Sequence, residues 1–180
     1  MRRIHPLAVN GPHRIAIWAH RPTFGRAACS GGRLYDALVE GVEAIYQDDT
    51  PLAYVVRADA TTTSTSFLTG DDAAFQAGFV VNPVGGSVVP HIHLPVVRTI
   101  VGTSELLLVR RGRCIVDVYG ADRTLVASRE LGPGDLVISL GGGHGFRMLE
   151  DTVLFEVKQG PYGGQEEKER FAPGAASADG

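Results

Sequence analysis

From Phe67 to Lys158 the chain repeats one arrangement: a short apolar or alternating run, then a cluster of Gly, Pro, Asn or Asp. The runs predict strands at Phe75–Val81, Ser87–His93, Val96–Val101, Glu105–Arg110, Cys114–Tyr119, Thr124–Glu130, Leu136–Leu140, Gly145–Leu149 and Thr152–Lys158. Asn82-Pro83, Gly85-Gly86, Arg111-Gly112, Gly120-Ala121-Asp122, Gly132-Pro133-Gly134 and Gly141-Gly142-Gly143 are the turns between them. Strands this short and this regularly spaced imply a sandwich or barrel and not a βαβ sheet. Upstream, Leu52–Val56 and Ile15–Trp18 read as short strands. Leu34, Leu38, Val42 and Ile45 recur at spacings of three and four, which predicts a short amphipathic helix over Arg33–Tyr46, weakened by Gly41. After Gly160 the chain turns polar, and its end reads as a mobile tail whose one large apolar side chain is Phe171.

Composition narrows the class. The chain has 180 residues, enough for one packed core, and its 23 glycines and 10 prolines suit a β protein with many turns. A net charge of −3 provides no electrostatic reason to bind nucleic acid or an anionic membrane, so a small-molecule partner is expected. The absence of a long apolar segment and of a signal-peptide pattern leads to the expectation of a cytoplasmic protein. Cys29 and Cys114 are far apart and form no CxxC unit, so they are read as ordinary thiols.

Three short segments carry candidate chemistry. In His91-Ile92-His93, strand alternation places both imidazoles on one face, about 7 Å apart along the strand, close enough to converge on one ion. Glu105 heads the apolar run Leu106-Leu107-Leu108-Val109, where burial of its carboxylate calls for a cation or donor. His144 lies in Gly141-Gly142-Gly143-His144-Gly145, whose bare backbone permits close approach to a buried site.

His-x-His, then Glu105 with six residues between it and Gly112, then Pro133-Gly134-Asp135 and a later His resemble the two motifs of the cupin superfamily. The match runs from about Phe67 to Gly160 and is similar to small single-domain bacterial cupins of uncharacterised function. Eleven residues, Leu94 to Ser104, separate His93 from Glu105, more than the usual cupin pattern has. The resemblance implies an all-β, double-stranded β-helix, a conical barrel with one divalent metal held by His91, His93, Glu105 and His144. On that basis residues 1–66 form an extension packed on the barrel, 67–163 the barrel, and 164–180 a flexible tail. Phe146, Met148, Gln76 and Tyr162 are candidate pocket walls or contacts. Arg98, Glu156 and Lys158 are candidates to hold or act on a substrate, Arg98 through a bidentate contact to an anion. The outward face of Leu106 and Leu108 is apolar and calls for cover from the N-terminal 60 residues or a second subunit. A homodimer is expected by resemblance.

Three functions compete at this point. The first is an Fe(II)-dependent oxygenase acting on a small chelating substrate. The second is a redox-neutral isomerase, lyase or rearrangement enzyme using Zn(II), Ni(II) or Mn(II) as Lewis acid. The third is a non-catalytic barrel that binds a small molecule or sugar. Fold alone does not choose among them.

Overall fold

The computed structural model describes residues 39–174. The expected strand at Ile15–Trp18 and the first part of the expected helix lie outside that range. Within it the chain is all-β and antiparallel, apart from one 3-10 turn at Gln165–Glu167. No helix among the described residues is long and apolar enough to cross a membrane.

The expected helix is corrected over Val42–Gln47, which is strand β1 and pairs antiparallel with β2 (Thr50–Val56). Punctuation overrides the three-four spacing here. Gly41 turns with φ +81° and Asp48 with φ +52°, so the segment between them is too short for a stable helix but suits one arm of a hairpin. Downstream, β3 (Ser66–Phe67) and β4 (Gly78–Phe79) make a minimal pair. The later strands are β5 (Glu105–Arg111), β6 (Cys114–Tyr119), β7 (Leu125–Leu131), β8 (Leu136–Ser139), β9 (Gly143–Met148) and β10 (Val153–Lys158). Each falls where hydrophobic alternation places it, within one or two residues. The strands expected at Ser87–His93 and Val96–Val101 are not formed, and of Phe75–Val81 only Gly78–Phe79 is laddered.

Two sheets contain most of the strands. A five-stranded sheet runs β1-β2-β8-β5-β10, and a three-stranded sheet runs β7-β6-β9. From β5 onward every connection except the β6–β7 hairpin passes from one sheet to the other. At the β5–β6 crossing, Gly112 has φ +80°, and a Cβ there would sit 2.4 Å from the Asp151 carbonyl oxygen, so only glycine fits. At the β7–β8 crossing, Asp135 accepts from the Gly132 and Ala58 amides at 3.0 and 2.8 Å and from Arg57 at 3.0 Å. The Pro133-Gly134-Asp135 motif therefore ties this corner to the end of β2.

One core lies between inward faces of the two sheets: Val55, Leu107, Val109 and Val137 from the large sheet, with Cys114, Val116, Val118 and Leu131 from the small one. Cys114 is fully buried, and burial pushes its thiol up, so it behaves as an inert core residue. A second cluster occupies the outer face of the large sheet, where Tyr54, Val56 and Ile138 pack with Leu106, Leu68, Phe75 and Phe79. Among the described residues, cover for that face comes from residues 60–79; the expected cover from the N-terminal segment falls largely outside them. The sheets do not close into a barrel among the described residues.

Candidate functional site

Alternation along β5, β8, β9 and β10 brings four polar side chains to one end of the inter-sheet space. In β5, Glu105 lies on the side of Leu107 and Val109, both core residues. In β8, Ser139 lies on the side of Val137. In β9, His144 shares a face with Phe146, which packs against the core. In β10, Lys158 follows core-packed Leu154 at a spacing of four. The ladder sets Ser139 and Lys158 opposite Glu105 on its two neighbouring strands. His144 enters from the facing sheet, opposite Val118 of β6.

Glu105 is 5% exposed, yet it is a carboxylate. Its Oε2 stands 3.1 Å from His144 Nε2, and its Oε1 is 3.4 Å from Lys168 Nζ. The other imidazole nitrogen, Nδ1, is 3.2 Å from Ser139 Oγ. Burial lowers the His144 pKa, opposed by the Glu105 charge and assisted by Lys168, so the ring is neutral at pH 7. A carboxylate only accepts, which assigns the ring proton to Nε2 and makes Nδ1 the acceptor of the Ser139 hydroxyl.

These groups open into a cavity of about 490 Å³, also bounded by Arg123, Lys158, Lys168 and Phe171. Two donors bonded to one ion at about 2.0–2.1 Å and roughly at right angles stand about 3 Å apart. The 3.1 Å between Glu105 Oε2 and His144 Nε2 meets that requirement, and with its proton moved from Nε2 to Nδ1, facing Ser139 Oγ, the neutral imidazole and the carboxylate would suit a first-row divalent ion. Glu105 and His144 therefore fit half of a four-ligand metal site.

The other two expected ligands stand elsewhere. His91 and His93 face each other with ring centroids 5.0 Å apart, on an exposed segment without strand pairing, where His91 Nδ1 is bonded to the Val89 carbonyl. No group of three or more ligating His, Cys, Asp or Glu is gathered among the described residues. The same segment carries Arg98, exposed and not among the residues lining the cavity. Lys158 does line it and is 3.7 Å from Glu156, with its ammonium 4.6 Å above the Tyr162 ring. Phe146 sits beside His144 at 5.9 Å between ring centroids, whereas Met148 is exposed at the far end of β9. Gln76 donates to the Gly70 and Ala73 carbonyls, a local role within the cover of the outer face.

Sequence reasoning missed Ser139, Arg123, Lys168 and Phe171. Ser139 had a faint signal as a polar residue ending the apolar run Leu136-Val137-Ile138. Lys168 had none, being one charge among several in Gln165–Arg170. Comparisons with family models, with curated proteins and with solved structures find no match.

Proposed function

We propose that this chain is a metal-dependent enzyme of the cupin type, acting on a small anionic substrate that chelates the ion. The observation that carries the reading is Glu105: a nearly fully buried carboxylate, 3.1 Å from a neutral imidazole, at the edge of an open cavity. Burying such a group is costly unless a cation or donor offsets it. In this reading Glu105 and His144 are joined by His91 and His93. The segment from Val80 to Val101 exposes Val84, Val88, Val89, Ile92 and Val97, and packing it against the sandwich would remove that apolar surface from water. The edges of β9 and β10, unpaired among the described residues, are the places where further strands would complete a barrel and deliver the two histidines. The exposed outward side chains Val153, Phe155 and Val157 of β10 are the face through which two copies would pair.

The bound ion would supply a positive centre that binds the chelating group and, for Fe(II), dioxygen. The chain's own residues do the rest. Lys158 offers an ammonium to a second anionic group of the substrate, and Phe146 walls the imidazole off from the core side. Ser139 fixes the ring of His144 through Nδ1. Arg98 joins Lys158 as an anion contact if its segment packs with the histidines. We favour an Fe(II)-dependent oxygenase, in which three imidazoles and one carboxylate would leave a net positive centre with open positions for a chelating anion and dioxygen; the same ligands serve a redox-neutral Zn(II), Ni(II) or Mn(II) enzyme equally, and turnover with each metal separates the two.

The test is metal content and affinity of the full chain and of its His91→Ala, His144→Ala and Glu105→Gln variants. Wild type is expected to bind one equivalent. Both histidine variants should lose stoichiometric binding while staying folded by circular dichroism, and Glu105→Gln should weaken binding less. Unchanged metal content in both histidine variants sinks the reading. Oxygen uptake coupled to turnover in the iron form supports the oxygenase, while turnover of the zinc form without oxygen replaces it by the redox-neutral enzyme.

A further inference from the structure

The charged stretch that follows the last strand closes over the cavity at several points. Its 3-10 turn, Gln165–Glu167, starts beside Gly163, whose amide donates to Glu167 Oε1 at 2.7 Å. Lys168 then reaches inward to Glu105 Oε1 at 3.4 Å. Glu169 pairs with Arg123 from the β6–β7 turn. Phe171 lies edge-on to Tyr119, with centroids 5.1 Å apart, and the Arg123 guanidinium is 6.0 Å from the Phe171 ring centre. The ring also covers the backbone that presents His144, since a Cβ on Gly143 would be 3.2 Å from it. Glu167, Lys168, Glu169 and Phe171 all line the cavity.

We propose that residues 165–171 are a strap across the mouth of this cavity, and that Lys168 and a divalent cation exclude one another at Glu105. The proposal rests on the metal reading of Glu105 and His144. The buried carboxylate is partnered by two groups, His144 and Lys168, and only Lys168 brings a full positive charge. A divalent ion held by Glu105 and His144 would take over that charge balance and repel the ammonium, so the strap would lose its inner anchor. Phe171 and Glu169 are the outer anchors, and they hold the strap against the pull of water on an exposed charged segment. The same strap sets access: with Lys168 in place, it narrows the mouth through which a chelating anion would enter.

The experiment uses the full chain, as wild type and as Lys168→Met and Phe171→Ala, with folding of each checked by circular dichroism. Zn(II) and Mn(II) affinities are measured by titration calorimetry, and amide hydrogen exchange of residues 165–171 is followed with and without saturating ion. Lys168→Met is expected to tighten binding about 3- to 10-fold. Phe171→Ala, which changes no charge, is expected to tighten it in the same direction by a smaller factor. Saturating ion should speed exchange across the strap in wild type. If the ion binds but Phe171→Ala leaves affinity unchanged, or exchange in the strap does not change, the strap is overturned and the metal reading stands. If no protein binds either ion, both fall together.

Discussion

Asp117 is the buried acid that the site does not use. It points away from the core, accepts from Arg147 Nε at 2.8 Å and Nη2 at 3.0 Å, and takes the Ser128 hydroxyl at 2.5 Å. Arg147's hydrogen bonds are the main reason its carboxyl lies below the usual range, against the opposing effect of burial and with help from Ser128. A folded-state pKa below the unfolded value of about 3.9 contributes stability above that value, which disappears as pH falls through the folded pKa. Arg147 is more than half exposed, so solvent screens part of the pairing. Asp117→Asn is therefore expected to cost about 1–2 kcal/mol at pH 7. The gap between wild-type and variant melting temperatures should narrow as pH drops below about 4; a gap that stays constant or widens on acidification contradicts the assignment. At this scale Glu105 and His144 were legible, because each breaks its surroundings in a way that demands explanation: a carboxylate heading an apolar run, a histidine among four glycines. Lys168 and Ser139 break nothing locally. Their importance comes from partners 63 and five residues away, respectively.

Elements place the site through their corners. Gly142 turns the chain from β8 into β9 with φ +62°, and a Cβ there would lie 2.2 Å from the Tyr119 carbonyl oxygen. His144 follows two residues later, so the position of its ring depends on this turn. Gly142→Ala should destabilise the protein by about 1–3 kcal/mol through left-handed strain and the backbone clash. It should also weaken cation binding without touching a ligand, which a melting curve paired with a calorimetric titration would read. Loss of stability with full affinity would mean that the corner relaxes without moving His144. Strand existence was legible from β5 to β10 because those runs are bounded by turn residues and alternate. β1 was misread because Val42 and Ile45 are equally compatible with a helical face, and only the flanking turns at Gly41 and Asp48 decide between the two. The runs around Ser87–His93 and Val96–Val101 have strand-like composition without a ladder, since composition does not supply a neighbour.

For the whole molecule, the hairpin of β1 and β2 is integral to the large sheet. Leu52, Ala53 and Val55 sit in the inter-sheet core, Tyr54 and Val56 in the outer cluster, and β2 pairs with β8 from Ala53 to Val56. Glu43 of β1 binds Arg129 of β7 through both carboxylate oxygens, at 3.0 and 2.9 Å, joining the two sheets. A chain beginning at Thr61 would lose these contacts and leave β8 as a raw edge beside the site. It is expected to show no cooperative thermal unfolding by circular dichroism, whereas a cooperative transition near that of the full chain would show that residues 61–180 carry their own core.

The order of hydrophobic and polar residues determined by itself that this is a β protein and where its later strands lie, but not which face of β10 is buried, since its apolar Val153, Phe155 and Val157 are exposed. Those properties follow from period-two alternation and from turn residues, both local. Tertiary structure decided what sequence spacing cannot express. Inward faces of strands from two sheets set Glu105 against His144, and crossings at glycine and Pro-Gly-Asp corners bring Ser139 and Lys158 to the same end. A charged stretch with no pattern of its own became the cover of that end, because Lys168 found a buried carboxylate and Phe171 found Tyr119. Long-range neighbours of this kind depend on how the sheets stack, and stacking is a property of the assembled core.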